Sequence, residues 1–445
     1  MDSLENLTFK GGYHMDDHKS YTDKLPIDMG FSPDIVHISM QQHIGAPCSP
    51  LVKVGDKVKL GQKIGESKAS MSAPVHSSVS GEVIAIEEML MTDGKKAEVV
   101  SIRSDGQDEL AYEVLNDDFN SLSKEEIIGR IREAGIVGLG GAGFPTHIKA
   151  NKKPEYNIEI VILNGSECEP YLTSDQLNME TYPEKAIGGL KILMKLMDCD
   201  KGCIAVEDNK PKVIQTLKEK AAGEENISVA VMKTKYPQGD ERRMINSVTG
   251  KKISKAQRSG ERGVQGLNVS SAMAIFDAVV HGKPLTERII TMTGSAISNP
   301  KNLMVKLGTP IRDLVDYCGG FKETPYKIVV GGPMMGACQY SLDVPTVKVV
   351  GGIIFMNEED AVLSSPEPCI KCGKCVEVCP IHLLPLYLQK RSLAGDFEGA
   401  DQLYINDCIE CGTCSYICPC NRPLVESIVH GKTQLKAQKR KRERG

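Results

Sequence analysis

Apolar and polar positions along the chain change period several times, and each change predicts a different kind of element. From about residue 34 to 104, short apolar runs such as IVHISM and AEVVSIR alternate with Gly and Pro turns, which predicts a small β-rich domain. From about residue 119 the apolar period becomes helical, with Ser123 as the predicted N-cap of a helix. Helix and strand signals then alternate to about residue 282, which indicates an α/β domain with a mainly parallel sheet.

The rest of the chain predicts a third fold type and a cysteine-rich helical region. Strand signals around one helix, from residue 285 to 350, predict a small α+β domain. The final run, KTQLKAQKRKRERG, is basic and indicates either a solvated tail or a contact with anionic lipid or an acidic partner. The expected domains are residues 1–118 (β-rich), 119–284 (α/β), 285–356 (α+β), 357–430 (helical, cysteine-rich) and 431–445 (basic tail).

Composition and charge exclude several classes of function. The chain has 445 residues, 41% of them hydrophobic, which allows about three domains with cores of their own. With 54 Lys and Arg against 58 Asp and Glu, the net charge is −4, so nucleic acid is not an expected partner. No apolar run reaches the length of a membrane helix, and the N-terminus lacks the pattern of a signal peptide. We therefore expect a cytosolic setting and no membrane span.

The cysteines are concentrated near the C-terminus, where nine of the 15 lie between Cys369 and Cys420. Because thiols stay reduced in the cytosol, this pattern indicates metal or redox chemistry rather than disulfides. Two runs have the form Cys-x2-Cys-x2-Cys-x3-Cys-Pro. This is the pattern of bacterial two-cluster ferredoxins, in which the fourth Cys of each run binds the other cluster. The alternative, a structural zinc site, would use two Cys-x2-Cys pairs.

The ferredoxin pattern predicts two sets of four thiolate ligands that cross between the runs. The predicted sets are Cys369, Cys372, Cys375 and Cys418 for one [4Fe-4S] cluster, and Cys408, Cys411, Cys414 and Cys379 for the other. Cys420 lies just outside the pattern and is expected to take no part. The residues between the runs have about the length of two helices, which predicts a helical ferredoxin domain.

A glycine-rich segment, residues 135–149, is the second candidate site. Its glycines let backbone NH groups approach an anionic ligand such as a phosphate, and a following helix would add the positive end of its dipole. No strand leads directly into the segment, and it does not end in Gly-Lys-Ser/Thr. It is therefore neither the common dinucleotide fingerprint nor a Walker A loop. A structural turn is the alternative to a ligand site.

Three motifs together carry a resemblance to a known family. They resemble, in content and order, motifs of the flavin- and NADH-binding subunit of respiratory complex I. The motifs are GLGGAGFPTHIK at 138–149, NGSECEP at 164–170 and GDERRMINS at 239–247, followed by Asn268-Val269. Two cluster motifs in place of that family's single one, and an extra N-terminal domain opening with FKGGYH, resemble the RnfC family of Rnf complexes. These complexes are membrane-bound ferredoxin:NAD oxidoreductases.

The resemblance implies a Rossmann-like flavin and NADH domain, a β-grasp (SLBB-like) domain and the helical ferredoxin domain, in that order. The residues that it implies around FMN are Gly138, Gly140, Gly141, Gly143, Lys149, Asn164, Ser166, Asn268 and Val269. Phe144, Glu169 and Glu241 are implied to face NAD(H), and the two carboxylates are the expected catalytic residues. Ser166, Tyr171 and Lys152 depart from the family's usual residues.

The N-terminal β-rich segment resembles biotinyl/lipoyl-like barrel-sandwich domains. Residues 54–65 and 74–86 match their two hairpins, and Lys68 lies near the position of the modified lysine. Ser67 stands where the acidic residue before that lysine is usual. We therefore expect an unmodified structural copy of the fold.

These features together predict electron transfer between a nicotinamide and iron–sulfur clusters. Hydride transfer moves two electrons and a [4Fe-4S] cluster carries one, so a cofactor that does both is needed, and FMN fits that role. The resemblance implies an NAD(H)-reacting subunit at the cytoplasmic face of the membrane, docked on integral subunits and partnered by a ferredoxin-like iron–sulfur subunit. Two alternatives stay open: a non-catalytic iron–sulfur relay scaffold, and a soluble diaphorase subunit of a hydrogenase-type complex.

Overall fold

A computed structural model of the chain describes residues 4–361 and 365–444, the side chains of residues 443 and 444 excepted. The strands are β1 (Ile27–Asp28), β2 (Ile35–Ser39), β3 (Ser49–Pro50), β4 (Lys57–Val58), β5 (Lys63–Glu66), β6 (Val75–His76), β7 (Gly81–Leu90), β8 (Lys96–Ser104), β9 (Ile160–Gly165), β10 (Gly202–Glu207), β11 (Ile227–Met232), β12 (Val264–Asn268), β13 (Glu287–Thr293), β14 (Lys301–Lys306), β15 (Lys327–Val330), β16 (Ala337–Gln339) and β17 (Gly352–Met356).

The α-helices are α1 (Lys124–Glu133), α2 (Thr146–Lys149), α3 (Ser174–Thr181), α4 (Pro183–Met197), α5 (Pro211–Ala221), α6 (Glu241–Thr249), α7 (Val269–Val280), α8 (Ile311–Tyr317), α9 (Glu358–Ala361), α10 (Lys374–Glu377), α11 (Pro385–Leu393), α12 (Phe397–Gln402), α13 (Thr413–Tyr416) and α14 (Leu424–Arg444). None of these helices, within the described residues, is both long and apolar enough to cross a lipid bilayer.

The first domain is the β-rich sandwich that the sequence predicts. Strands β2, β8, β7 and β4 form one antiparallel sheet in that order, and β3, β5 and β6 form another. Alternate residues of these strands, including Val36, Ile38, Ile64 and Val83, are buried in a shared apolar core. Lys68 lies in the exposed turn between β5 and β6.

The second domain is built on a parallel sheet with the order β11-β10-β9-β12. All six residues of β10 are buried, as expected of a parallel strand covered on both faces. Helices α4 and α7 pack on one face of the sheet and α6 on the other. Helix α1 begins with a capping box between Ser123 and Glu126, which confirms the predicted N-cap. The predicted α/β domain is thus confirmed.

The third sheet is mixed and contains a strand from the start of the chain. Its order is β1-β14-β13-β17-β15-β16, and α8 packs against it, in agreement with the predicted α+β fold. Strand β1 pairs in parallel with β14, with Ile27 opposite Asn302. Ile27–Asp28 falls in the residue range that the sequence assigns to the first domain. A two-residue strand is too short to show an alternating pattern, so the sequence does not reveal this pairing.

The C-terminal region is helical, as predicted. Helices α11 and α12 pack against α14 around a small apolar core that includes Leu388, Ile405 and Ile428. The short helices α10 and α13 each follow the first cysteines of one run. The predicted basic tail, residues 431–445, continues α14 as far as Arg444.

An N-terminal strap, residues 7–22, crosses the second domain before the chain enters the β-sandwich at β2. Leu7 forms a parallel bridge with Met232 at the end of β11, and Tyr13 forms an antiparallel bridge with Tyr236. The strap therefore lies along the edge of the parallel sheet and reaches the helical cysteine region.

Candidate functional site

Two neighbouring parallel strands bring a pair of predicted asparagines together at their carboxyl ends. Asn164 in β9 and Asn268 in β12 are register partners. The sheet extends from β9 towards β10 on one side and β12 on the other, and such a switch point is where open α/β sheets bind ligands. Asn164 Nδ2 donates to Gly239 O at 2.7 Å, and Asn268 caps α7 by accepting from Ser271 N at 3.1 Å. Both amides are therefore held in place at this crevice.

The glycine-rich segment forms a loop beside these asparagines. Gly138 N donates to Phe144 O at 2.9 Å, which closes the loop. A Cβ on Gly140 would lie 2.6 Å from Asn268 Nδ2, whereas a Cβ on Gly141 would meet open space. The helix that follows, α2, is a single turn, so the dipole contribution expected from the sequence is absent here and only backbone NH groups remain for an anion.

Two predicted site residues, Lys149 and Glu241, form an ion pair beside the loop. Lys149 Nζ lies 2.6 Å from Glu241 Oε2, and Ser259 donates to Oε1 at 2.9 Å. Burial alone would raise the pKa of Glu241, but the Lys149 charge and these hydrogen bonds hold it below its usual range. Glu241 is therefore ionised at neutral pH and fixes the position of the Lys149 ammonium.

The loop after β9 carries an unpartnered buried hydroxyl. Ser166 is fully buried, and its Oγ has no hydrogen-bond partner in the described part of the chain. Cys168 Sγ accepts from Gly239 N at 3.1 Å, which ties this loop to the loop before α6. The orphaned hydroxyl and the open space at Gly141 fit a bound polar ligand such as FMN. Val269, also predicted here, is buried as the first residue of α7.

Glu169 lies in the same loop but has different partners from Glu241. Its Oε1 accepts from Tyr236 OH at 3.2 Å and its Oε2 from Met334 N at 3.1 Å. Burial raises the pKa of Glu169 to about 7 in spite of these hydrogen bonds. Phe144 is half-buried in the glycine loop. Three residues are predicted to face NAD(H). Within the part of the chain that the structure describes, only Glu241 among them forms a side-chain hydrogen bond with another predicted site residue, Lys149.

The thiols of the two cysteine runs are grouped across the runs. One small cavity is lined by all four thiols of the second predicted set together with apolar residues, namely Cys379, Pro380, Ile381, Leu383, Pro385, Cys408, Ile409, Cys411, Gly412, Cys414, Val425 and Ile428. In the other group, burial raises the pKa of the Cys375 thiol, and the nearby Cys418 and Cys372 raise it further. Both groupings agree with the predicted crossing of the fourth ligand.

The two runs also share a local backbone fold. Lys371 and Glu410 both have a left-handed backbone, with φ of 60° and 61°. Their backbone NH groups donate to Cys369 Sγ at 3.3 Å and to Cys408 Sγ at 3.4 Å. Among the described residues, no three His, Cys, Asp or Glu side chains meet at the spacing of a single metal ion. The fit to clusters therefore rests on the crossed grouping and on these NH to sulfur contacts.

The two thiol groups differ in exposure, and we name them accordingly. Three of four thiols are buried in the group that we call the buried cluster site, Cys379, Cys408, Cys411 and Cys414. None is buried in the group that we call the exposed cluster site, Cys369, Cys372, Cys375 and Cys418. Cys411 is 7% exposed and packs with Met15 of the strap and with Tyr236. Cys372 is exposed at the surface. The buried site thus adjoins the parallel-sheet domain, and the exposed site contains a thiol at the molecular surface.

Family models match four successive segments of the chain. A barrel-sandwich hybrid domain of RnfC matches residues 7–107, the Nuo51 FMN-binding domain residues 131–277, an SLBB domain residues 289–337 and a 4Fe-4S dicluster domain residues 361–424. These matches confirm the predicted order of fold types. They also support FMN and two [4Fe-4S] clusters as the cofactors.

Curated relatives match over nearly the whole chain. The RnfC protein of the Na+-translocating ferredoxin:NAD+ oxidoreductase complex of Acetobacterium woodii is 43% identical, covering 99% of both chains. Its counterpart in the proton-translocating complex of Clostridium ljungdahlii is 43% identical, covering 97% of this chain and 94% of that one. The chain belongs to the RnfC family. A third RnfC relative, from an ion-translocating oxidoreductase complex of Rhodobacter capsulatus, is 37% identical over 97% of this chain and 84% of its own.

A solved structure shares the fold of this RnfC family member. The chain matches an NAD+-reducing [NiFe]-hydrogenase in the H2-reduced state with a TM-score of 0.50 and 17% identity, covering 72% of this chain and 64% of that one. The likeness concerns the fold alone.

Some residues of the site carry no sequence signal in this RnfC chain. Tyr236 and Met334 hold the carboxylate of Glu169, and Asp175 accepts from Asn268 Nδ2 at 2.8 Å. None of the three lies in a recognisable motif, because their roles depend on contacts between distant segments. Only the fold reveals them.

Proposed function

We propose that this chain is the NAD(H)-reacting subunit of an ion-translocating ferredoxin:NAD+ oxidoreductase complex. The observation that carries the proposal is one continuous arrangement: the paired asparagines at the switch point, the Lys149–Glu241 ion pair beside them, and the buried cluster site adjoining the same domain. The family of the chain and its FMN-binding and dicluster domain matches support the same conclusion.

In this proposal the glycine loop and the strand ends hold FMN. When bound, FMN supplies chemistry that exchanges electrons in pairs with NAD(H) and singly with iron–sulfur clusters. The loop glycines offer backbone NH groups, Lys149 offers a fixed positive charge, and Ser166 offers an unused hydroxyl. Glu241 is ionised and lies beside these groups, so it is the carboxylate best suited to accept hydrogen bonds from a ribose or carboxamide.

The positions of the two cluster sites suggest an order of electron transfer. The buried cluster site adjoins the parallel-sheet domain through Cys411, Tyr236 and Met15. The exposed cluster site includes Cys372 at the surface, where a partner protein can approach. We infer that electrons pass between the flavin domain and partner subunits through the buried site first and the exposed site second.

The proposal extends to where the subunit works. The relatives are named as subunits of complexes that translocate Na+ or protons. We infer that this chain is held at the cytoplasmic face of the membrane by integral subunits and exchanges electrons with a ferredoxin-like iron–sulfur subunit. Co-purification of the chain with membranes that contain its complex, and its release when the complex is dissociated, would test this location.

Cofactor content and response to NADH test the proposed function. In anaerobically purified protein we expect one FMN, about eight irons, and bleaching of the flavin on addition of NADH. Irons without flavin, and no reaction with NADH after FMN is added, would overturn the catalytic role and favour the relay scaffold. Full activity with a soluble acceptor and no association with membranes would favour the soluble diaphorase.

A further inference from the structure

The N-terminal strap is wedged between the flavin domain and the buried cluster site. Tyr13 and Tyr236 exchange backbone hydrogen bonds, with both N to O distances at 2.9 Å. One residue earlier, Gly12 N donates to Val378 O at 2.9 Å, in the residue before the crossing ligand Cys379. A single short segment thus pairs with the second domain on one side and with the first cysteine run on the other.

Two consecutive glycines make this approach possible. Gly11 and Gly12 have φ of +87° and +72°, where residues with a side chain are strained. A Cβ on Gly11 would lie 2.8 Å from Cys379 O and 3.1 Å from Pro380 Cα, and a Cβ on Gly12 would lie 2.8 Å from Tyr236 O. The strap is therefore packed directly against the backbone of the crossing ligand.

Side chains on both sides fix the strap in this position. Lys235 Nζ donates to Phe9 O and, at 2.8 Å, to Gly11 O, and it lies 4.0 Å from the centre of the Phe9 ring. Further along, Met15 packs with Tyr236 and Cys411 and covers the buried cluster site. The strap is thus held by Lys235 and packs against one thiol of the buried cluster site.

The far end of the strap is fastened to the loop that carries Glu169. Lys19 is buried, and its Nζ donates to Glu167 O at 3.0 Å, to Glu169 O at 3.1 Å and to Leu172 O. The Lys19 ammonium of the strap therefore donates to three backbone carbonyls of that loop. The same segment contacts the loop of the proposed flavin site and the backbone of a proposed cluster ligand.

We propose that the N-terminal strap is a positioning element that sets the environment of the buried cluster and its placement relative to the flavin site. Solvent exposure and backbone contacts near the thiolates tune the potential of a [4Fe-4S] cluster, so displacement of Cys379 changes that potential. This inference rests on the proposed function for its role in electron transfer, but its effect on the cluster is measurable without NADH.

Gly11→Ala tests the strap against a matched control, Gly106→Ala. Gly106 also has a positive φ, +70°, but its Cβ would meet open space, so the control adds backbone strain without displacing a neighbour. We expect Gly11→Ala to shift the midpoint potential and the EPR signal of the buried cluster. Reoxidation of that cluster by NAD+ should become several-fold slower. FMN content, flavin reduction by NADH and the second cluster should match the control.

A second variant keeps the test decisive if Gly11→Ala does not fold. Lys235→Met removes the ammonium that holds Phe9 and Gly11 without straining the backbone, and Lys233→Met alters an exposed neighbour as its control. If the potentials and EPR signals of both clusters are unchanged in Lys235→Met, the inference is overturned. If the parent protein lacks FMN, the proposed function fails, whereas a potential shift confined to the strap variant still supports the strap.

Discussion

At the residue scale, the proposed flavin site depends on one ammonium whose position is set by a carboxylate. Lys149 and Glu241 lie 92 residues apart in sequence and meet only in the fold. The glycine-rich motif could be predicted from sequence because its residues follow one another in the chain. Tyr236 and Met334 could not, because they contact Glu169 from segments that are distant in the sequence.

Replacement of Lys149 is expected to weaken FMN binding. Lys149→Met removes a charged donor and leaves the half-buried Glu241 carboxylate without its main partner. Hydrogen bonds to charged groups contribute about 1.5–3 kcal/mol, so FMN affinity should fall about 10- to 100-fold. Lys153→Met, which alters an exposed ion pair with Glu155, is the control. FMN affinity is measured by quenching of flavin fluorescence. Equal affinity in the two variants would show that Lys149 does not contribute to FMN binding.

Glu169 is expected to make stability depend on pH. Burial raises its pKa from 4.5 to about 7, so between these values the folded protein binds more protons than the unfolded chain. Stability must therefore fall as pH rises from about 5 to about 8, by up to about 3 kcal/mol from this group. Glu169→Gln cannot ionise and should lose this part of the decline. Thermal unfolding at both pH values checks the prediction, and parallel pH profiles for parent and variant would contradict it.

At the element scale, the hydrophobic pattern predicts most of the architecture. The buried run of β10 and the capping box of α1 are local signals, and both are realised. The single turn of α2 and the pairing of β1 with β14 are not predicted, since both are set by the segments that pack around them. The first domain, likewise, gives no sign in sequence that it supports the glycine loop.

A buried lysine of the third domain, Lys348, links the first domain to the glycine loop. Lys348 Nζ donates to Pro74 O at 2.8 Å and to Gly135 O at 2.7 Å, and Ile44 N donates to Gly143 O at 3.0 Å. The first domain is thus joined to the loop directly at Gly143 and through Lys348 at Gly135. This arrangement gives the lipoyl-like fold a structural role that does not require modification of a lysine.

Removal of this buried lysine is expected to destabilise the junction. Lys348→Met keeps the length of the side chain but leaves the Pro74 and Gly135 carbonyls without a donor, at a cost of about 1–3 kcal/mol for each group. The melting temperature and FMN affinity should both fall, whereas Lys53→Met at an exposed position should change neither. If the melting temperature falls but FMN affinity is unchanged, Lys348 stabilises the fold without positioning the flavin site, which would contradict this prediction.

At the scale of the whole molecule, the proposed cofactor sites lie in a fixed order. Contacts of Tyr236 and Cys411 join the parallel-sheet domain to the buried cluster site, and the helices α10 and α13 of the two cysteine runs pack against each other. The crossing ligands Cys379 and Cys418 allow each cluster to be removed separately. The cysteine spacing predicts both clusters, but only the fold distinguishes the one that adjoins the flavin domain.

Reoxidation of reduced clusters by NAD+ in two cysteine variants tests this order most directly. We expect Cys379→Ser and Cys418→Ser each to retain about half of the iron, whereas Cys420→Ser, which alters a thiol outside both sets, should retain all of it. After chemical reduction, NAD+ should quickly reoxidise the cluster left in Cys418→Ser and leave the one in Cys379→Ser reduced. Equally fast reoxidation of the remaining cluster in both variants would contradict the proposed order.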